Sequence, residues 1–257
     1  MIIDSNVYLS RWPTRRLPCD ETPLLVAKLK ENQVQAAWVG SFDGILHNDI
    51  SAVNSKLVYE CETHGKGLLV PFGTINPMLP DWQEDLRRCV EEYGMPGVRL
   101  HPNYHGYGLD IPVVQELFAL CEQHRLVIQL VLRMEDERTQ HRLLRVAAVD
   151  TKPLVKILKR YPALQLVVLN GLRTLSGDAA AELIAAGNVW FEISMLEGVG
   201  RIENFLKNVP LDRILFGSYF PFFCFDSAVL KLRESELGGV LVDTIQQGNA
   251  KRLIDPD

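Results

Sequence analysis

Two residues near the middle of the chain offer the clearest chemistry. Arg99 and His101 occupy alternate positions at the end of a short apolar run, so that in a strand both side chains point to the same side. A guanidinium and an imidazole placed together could clamp a carboxylate. The alternative is structural, with Arg99 as a core ion and His101 as a packed histidine before Pro102. Tyr219 is a candidate acid or oxyanion donor. The predicted catalytic residues are Arg99, His101 and Tyr219.

A second group of polar residues is rich in carboxamides. Asn6, Gln129 and Asn170 could hydrogen-bond a ligand, or could bond to one another and to water, since buried amides must be satisfied in either case. Tyr8 and Tyr219 could act on a ligand or fill space with their rings. The predicted ligand-binding residues are Asn6, Tyr8, Gln129, Asn170 and Glu192.

The elements that position these residues follow from the apolar pattern. Eight short, largely β-branched runs alternate with longer stretches of helical period, a pattern typical of parallel βα units. We therefore predict an α/β protein with one (β/α)₈ TIM barrel, and one domain over residues 1–257. The runs are Met1–Ile3, Ala36–Val39, Leu68–Thr74, Gly97–Leu100, Val127–Val131, Leu166–Leu169, Val189–Ile193 and Arg213–Phe216.

Helical periodicity accounts for most of the sequence between these runs. An additional stretch, Thr139–Asp150 before Pro153, predicts an extra helical segment or lid after the fifth strand. In a barrel of this kind the loops after the strands converge on one concavity, so the polar strand ends define the candidate site. The clearest helical stretches are 22–31, 48–64, 81–93, 113–123 and 152–160.

Six segments give the chain a specific resemblance, because they occur in the order typical of one family. The sequence resembles the amidohydrolase-related family, the metal-dependent hydrolases and decarboxylases of the amidohydrolase superfamily. The resemblance spans nearly the whole chain and implies the same barrel. The segments are Ile3–Tyr8, Pro71–Pro77, Gly97–Pro102, Pro162–Gly171, Leu215–Pro221 and Gly248–Leu253.

The departures from that family concern its metal ligands. The family's first strand ends in Asp-x-His-x-His, where this chain has Asn6 and Tyr8 at the histidine positions. The ligand histidines of its fifth and sixth strands correspond to Gln129 and Asn170, and the aspartate of its eighth strand corresponds to Tyr219. Carboxamides and a phenol bind zinc-like ions poorly. We therefore predict a divergent member with a degenerate metal site, no metal and no cofactor.

Composition limits the partners. The net charge is −5 with scattered basic residues, which argues against nucleic acid and anionic membranes. Five widely spaced cysteines and a strand-like start without a signal segment favour a cytoplasmic protein. The predicted partner is a small molecule, and a homo-oligomer is left open.

Three functions remain open. The first is a metal-free barrel that binds or acts on a small carboxylate- or carbonyl-containing molecule. The second is a metal-dependent hydrolase or decarboxylase with rearranged ligands, such as His101, His47 or Glu192. The third is a non-catalytic scaffold or regulatory protein. Catalysis is uncertain, and an enzyme would be a hydrolase or a carbon–carbon lyase.

Overall fold

All paired strands run parallel in the structure, a computed structural model that describes residues 1–254. Parallel neighbours need crossover connections, and helices supply most of them here. Pairing follows chain order within β1–β3 and within β4–β9. The strands are β1 (Ile2–Leu9), β2 (Val34–Ser41), β3 (Leu69–Pro71), β4 (Gly73–Thr74), β5 (Gly97–Leu100), β6 (Val127–Val131), β7 (Gln165–Leu169), β8 (Asn188–Glu192) and β9 (Ile214–Leu215).

Hydrogen bonds join these two groups of strands into one barrel. Phe72 separates β3 from β4, and its N–H donates to the Val39 carbonyl at 2.8 Å, so that β3 and β4 act as one interrupted strand. Beyond β9, the Phe216 carbonyl accepts from Ser5 N–H of β1 at 2.9 Å. The barrel therefore has the eight strand positions that the sequence predicts, and the TIM-barrel prediction is confirmed.

The first strand is longer than predicted. It runs over Ile2–Leu9 rather than Met1–Ile3, so Asp4, Asn6 and Tyr8 lie within the strand and not in the loop after it. Alternation places Asn6 and Tyr8 on the same inner face of the strand. Asp4 lies before a register shift of β1 and is buried beside Ser218 of the segment after β9. Polar residues interrupt the apolar pattern of this strand, so the pattern predicts only its first part. Inside the barrel, these polar residues are paired with groups from distant strands.

The helices surround the barrel. α1 begins and ends where the sequence predicts it, and its buried Leu25, Val26 and Leu29 face the strands. Within residues 1–254, no helix is long and apolar enough to cross a membrane. The helices are α1 (Thr22–Glu31), α2 (Ile50–Gly65), α3 (Trp82–Glu91), α4 (Pro102–His105), α5 (Pro112–Gln123), α6 (Leu154–Arg160), α7 (Gly177–Ala186), α8 (Arg201–Leu206), α9 (Phe225–Arg233), α10 (Gly239–Asp243) and α11 (Asn249–Ile254).

The predicted extra helical segment after the fifth barrel strand is wrong. Thr139–Asp150 is an irregular loop between β6 and α6. The Gln140 side chain donates to the Val146 carbonyl at 2.7 Å and accepts from Val146 N–H at 3.0 Å. The Gln140 side chain thus pairs with the backbone N–H and carbonyl of Val146, which in a helix would pair with other backbone groups. This pairing favours the loop.

Alternation along the strands produces two cores. On β6, Ile128 and Leu130 pack among the residues that face the helices, whereas Val127 and Val131 pack with the residues inside the barrel. Gln129 lies between Val127 and Val131 by this alternation and points inside. The interior is therefore a packed layer of side chains into which a few polar groups are set.

Candidate functional site

All eight predicted site residues meet inside the barrel near the carboxyl ends of its strands. Each is completely buried, with 0% of its surface exposed. Their meeting follows from the barrel, because each comes from a different strand end or from alternate positions of one strand. They are Asn6 and Tyr8 on β1, Arg99 on β5, His101 directly after β5, Gln129 on β6, Asn170 after β7, Glu192 on β8 and Tyr219 after β9.

Arg99 lies at the centre of this group, and each of its three guanidinium nitrogens donates one hydrogen bond to the protein. Its Nε donates to Gln129 Oε1 at 2.7 Å, and its two terminal nitrogens donate to the Val7 carbonyl at 2.8 Å and the Trp38 carbonyl at 3.1 Å. The guanidinium carbon lies 4.3 Å from the centroid of the Tyr8 ring. Burial lowers the pKa of Arg99 from its ordinary value. In this conformation the guanidinium binds protein groups on its polar edges and an aromatic ring on one face.

His101 is hydrogen-bonded to the hydroxyl of Tyr8. Its Nε2 lies 3.0 Å from the Tyr8 hydroxyl, while its buried Nδ1 has no hydrogen-bond partner. Burial first, and then the nearby His105 and Arg99, hold the pKa of His101 well below its usual value. Burial also raises the pKa of Tyr8 to about 12. The pair is therefore a neutral imidazole and a neutral phenol at pH 7.

His105 is a neighbouring histidine that the sequence reasoning missed. It follows His101 by four residues across α4, and the two ring centroids are 5.9 Å apart. Its Nε2 bonds the Gly44 carbonyl at 2.9 Å, and because a carbonyl only accepts, Nε2 carries the proton. Burial lowers the pKa of His105, so its unpartnered Nδ1 holds a free lone pair. The four-residue spacing on a short helix was the available signal.

Of the three carboxamides, Asn6 and Asn170 bond to each other and to Glu192, whereas Gln129 bonds to Arg99 and to the Ser5 carbonyl. Asn6 Nδ2 donates to Asn170 Oδ1 at 2.8 Å and to Glu192 Oε1 at 3.3 Å, whereas Asn6 Oδ1 is buried without a partner. Glu192 also accepts from the N–H of Asn170 at 2.7 Å and from that of Ser194 at 2.5 Å. Burial raises the pKa of Glu192, and the hydrogen bonds and nearby Lys231 oppose that rise. This network agrees with the interpretation in which the amides satisfy each other.

A second buried carboxyl, Asp4, was not among the predicted site residues. Its Oδ1 accepts from Ser218 N–H at 3.0 Å and from Asn6 N–H at 3.1 Å, and its Oδ2 accepts from the Ser218 hydroxyl. Burial raises the pKa of Asp4 to about 7 although these hydrogen bonds oppose the rise. Its position two residues before Asn6, in the same strand, was the signal that could have found it.

Aromatic rings close the site toward the barrel mouth. Tyr8 stacks on Phe42 with ring centroids 4.6 Å apart, and Tyr219 meets Tyr8 edge-on at 5.8 Å. Tyr219 also stacks on Phe222 at 4.8 Å and donates from its hydroxyl to the Met134 carbonyl at 2.8 Å. Burial raises the pKa of Tyr219 well above its ordinary value. The Tyr219 ring thus fills the space above Tyr8, and its hydrogen bond to Met134 holds it there.

Residues suited to a metal are sparse in this site. Across residues 1–254, no group of three or more histidine, cysteine, aspartate or glutamate side chains is arranged to hold an ion. The site instead offers hydrogen-bonding chemistry from a buried guanidinium, neutral imidazoles, phenols and two carboxyls with raised pKa. Such groups can bind polar ligands or exchange protons when a ligand reaches them.

A family model identifies the family to which this chain belongs. The Amidohydrolase family model matches residues 16–254, which is most of the chain, and the chain therefore belongs to that family. The resemblance inferred from the six sequence segments is confirmed. Membership also supports the predicted reaction class, so that an enzymatic activity of this chain would be that of a hydrolase or a carbon–carbon lyase. No curated protein matches the chain by sequence.

Solved structures of distant proteins share the whole fold. A 2,6-dihydroxybenzoate decarboxylase from Rhizobium is 16% identical, with 98% of each chain covered and a TM-score of 0.72. A 5-carboxyvanillate decarboxylase from Sphingomonas paucimobilis is 13% identical, with 98% of each chain covered and a TM-score of 0.76. A TIM-barrel protein from Bordetella bronchiseptica is 16% identical over 98% of this chain and 97% of its own, with a TM-score of 0.73. At these identities the similarity concerns the barrel fold alone.

Proposed function

We propose that this chain is a metal-free member of the amidohydrolase family that acts as a non-catalytic scaffold or regulatory protein. The observation that supports this most directly is the engaged and completely buried guanidinium of Arg99. It sits among the strand ends and supplies the positive charge there. Its hydrogen bonds and its contact with Tyr8 make this part of the barrel a packed polar core.

The donor atoms at the family's metal positions do not fit the ion. The Asn6 amide donates to Asn170 Oδ1 and to Glu192, and the Asn170 amide donates to the Arg133 carbonyl at 2.8 Å. Gln129 accepts from Arg99 and donates to the Ser5 carbonyl at 2.8 Å. Carboxamides and phenols are weak ligands for zinc-like cations, and the adjacent guanidinium repels a second cation. The degenerate metal site predicted from the sequence is therefore part of this proposal.

Metal analysis tests this function. We expect purified protein to contain far less than one equivalent of Zn, Mn, Fe or Co, and its melting temperature to be unchanged by a chelator or by added Zn²⁺ or Mn²⁺. A site filled at 100 times its Kd would add about 2.7 kcal/mol to the stability. One bound equivalent that is lost in an Asn6→Ala variant but kept in a His47→Ala variant would contradict the proposal.

A second candidate function is the binding of a small carboxylate- or carbonyl-containing molecule. Its support is the buried His101 Nδ1, which has no hydrogen-bond partner and can donate to a ligand oxygen when Nε2 accepts from the Tyr8 hydroxyl. Most buried polar atoms are paired, so such atoms mark places where a polar ligand would gain hydrogen bonds. Under this alternative His101 and Tyr8 would contact the ligand, and Arg99 and Tyr219 would hold them in place.

Thermal unfolding with a panel of small acids and ketones tests the second candidate. Acetate, benzoate and pyruvate serve as probes for wild type, for His101→Gln and for the exposed control His124→Gln. We expect at least one probe to raise the melting temperature of wild type and of the control but not of His101→Gln. A flat response of wild type to every probe would rule this candidate out in favour of the scaffold.

We further propose a cytoplasmic location and a single domain over the whole chain. The five cysteines are free, and three of them, Cys61, Cys89 and Cys121, are buried in helices. Reduced, packed thiols are usual in the cytoplasm. Fractionation of cells that express the native protein tests the location, and limited proteolysis tests the domain.

A further inference from the structure

The loop after β1 covers the barrel mouth. Trp12 in this loop is 2% exposed and packs edge-on against Phe42 at 5.4 Å and against Phe222 at 5.1 Å. Phe42 in turn stacks on Tyr8, the partner of His101. The indole therefore forms the outer layer over the buried polar site.

One ion pair holds this loop across the mouth. Arg15 pairs with Glu135, which is 2% exposed and lies in the loop after β6, and the Arg15 guanidinium also lies 5.0 Å from the ring centroid of Phe222. β1 and β6 are the first and fifth strands of an eight-stranded barrel, because β3 and β4 share one position. First and fifth strands lie on opposite sides, so the ion pair spans the opening.

The remaining polar contacts of residues 11–19 are internal to the loop. Arg16 binds Asp20 through two hydrogen bonds of 2.6 and 2.7 Å, and Leu17 N–H donates to the same carboxylate at 3.2 Å. Within residues 1–254, the pair of Arg15 with Glu135 is the one hydrogen bond or ion pair that joins residues 11–19 to a part of the chain outside 10–21. The loop is thus attached to the rest of the chain by this pair and, at its first residue, by the Ser10 hydroxyl, which lies 3.1 Å from the Ser41 hydroxyl.

Both ends of the loop have unusual backbone angles. Ser10 has φ +68° and Cys19 has φ +57°, in the left-handed region that residues with a Cβ seldom adopt. The indole Nε1 of Trp12 is buried without a hydrogen-bond partner, which makes the covered arrangement less favourable. Left-handed backbone angles at both ends and an unsatisfied buried donor are features of a loop that can open.

We propose that residues 10–21 form a lid that opens to expose His101, with the ion pair between Arg15 and Glu135 as its latch. Opening would rotate the loop about Ser10 and Cys19 and withdraw Trp12 from between the rings. This inference goes beyond the proposed function, because it concerns access to the strand ends and holds with or without a ligand there.

Chemical modification of His101 tests the lid. Diethyl pyrocarbonate acylates neutral imidazoles that solvent reaches, and mass spectrometry of peptides separates His101 from the exposed His124 and His141 of the same sample. We expect Arg15→Ala and Glu135→Gln to raise the rate at His101 about tenfold, which corresponds to ~1.4 kcal/mol. Arg138→Ala, which removes another arginine of the loop after β6, should leave that rate unchanged.

Two outcomes would overturn the lid. One is an unchanged rate at His101 in Arg15→Ala, a variant that should fold because the Arg15 side chain is 42% exposed. The other is an equal rise in Arg138→Ala, which would indicate general loosening. Hydrogen exchange gives the second readout: residues 11–19 should exchange faster in Arg15→Ala while β5 and β6 keep their protection. The metal content does not enter this test, so its result is independent of the proposed function.

Discussion

The guanidinium carbon of Arg99 lies 4.3 Å from the centroid of the Tyr8 ring, deep inside the barrel. The sequence motifs predict that Tyr8 replaces a metal-binding histidine of the family. In the structure its ring faces a guanidinium that makes three hydrogen bonds to protein groups. Four predictions follow from the groups around this contact.

The first prediction concerns Arg99 itself. Arg99→Met removes the donors to Gln129 Oε1 and to the carbonyls of Val7 and Trp38, and we expect it to lower the free energy of unfolding by about 1–3 kcal/mol. Arg99→Lys keeps the charge but lacks the planar fork, so its loss should be intermediate. Urea denaturation measures both. The exposed Arg138→Ala should change stability by less than about 0.5 kcal/mol, and an equally mild Arg99→Met would contradict a structural role.

The second prediction concerns the pH dependence that Asp4 confers. Its folded pKa of about 7 exceeds the ordinary aspartate value of 3.8, so the folded protein binds more protons than the unfolded chain between these two pH values. Stability from this group is fully present below about pH 4 and is lost as the pH rises to about 7, by an amount on the order of 4 kcal/mol. Asp4→Asn should remove this slope. Unfolding curves of both proteins from pH 4 to 8 measure the difference, and parallel curves would be inconsistent with the raised pKa.

The third prediction separates the two tyrosines. Tyr8→Phe leaves the buried His101 Nε2 unpaired and should cost about 1–3 kcal/mol. Tyr219→Phe frees the carbonyl of Met134 and should cost a similar amount, yet it leaves the hydrogen bond between Tyr8 and His101 intact. The imidazole NMR signals of His101 should therefore shift strongly in Tyr8→Phe and little in Tyr219→Phe. Equal shifts would contradict the assigned partners.

The fourth prediction uses the glycine beside Arg99. A Cβ at Gly40 would lie 2.7 Å from Arg99 Cδ, so Gly40→Ala should displace the hydrogen-bonded guanidinium and cost about 1–3 kcal/mol. Gly238→Ala is the matched control, since a Cβ there meets nothing within 4 Å. Thermal unfolding compares the two. A neutral Gly40→Ala would mean that Arg99 can move at little cost.

The barrel and the positions of its polar strand ends could be predicted from the sequence. Short apolar runs separated by helical periods specify parallel βα units, and such units bring all strand ends to one mouth. The bounds of α1 and the meeting of Arg99, His101 and Gln129 follow from this local pattern. The full length of the first strand does not follow from the local pattern. Asp4 and Asn6 interrupt its apolar residues, and their hydrogen-bond partners lie far along the chain.

Local periodicity and the order of the motifs specify the fold, the family and the residue types at the strand ends. How those residues are used depends on contacts that form only in the folded barrel. Whether a guanidinium clamps a ligand or bonds to carbonyls depends on which groups lie within 3 Å of it. Burial, which sets the pKa of Asp4 and His101, is likewise a property of the whole packed barrel. The closed mouth, with Arg15 on Glu135, arises from two loops more than a hundred residues apart, and no local pattern specifies that contact.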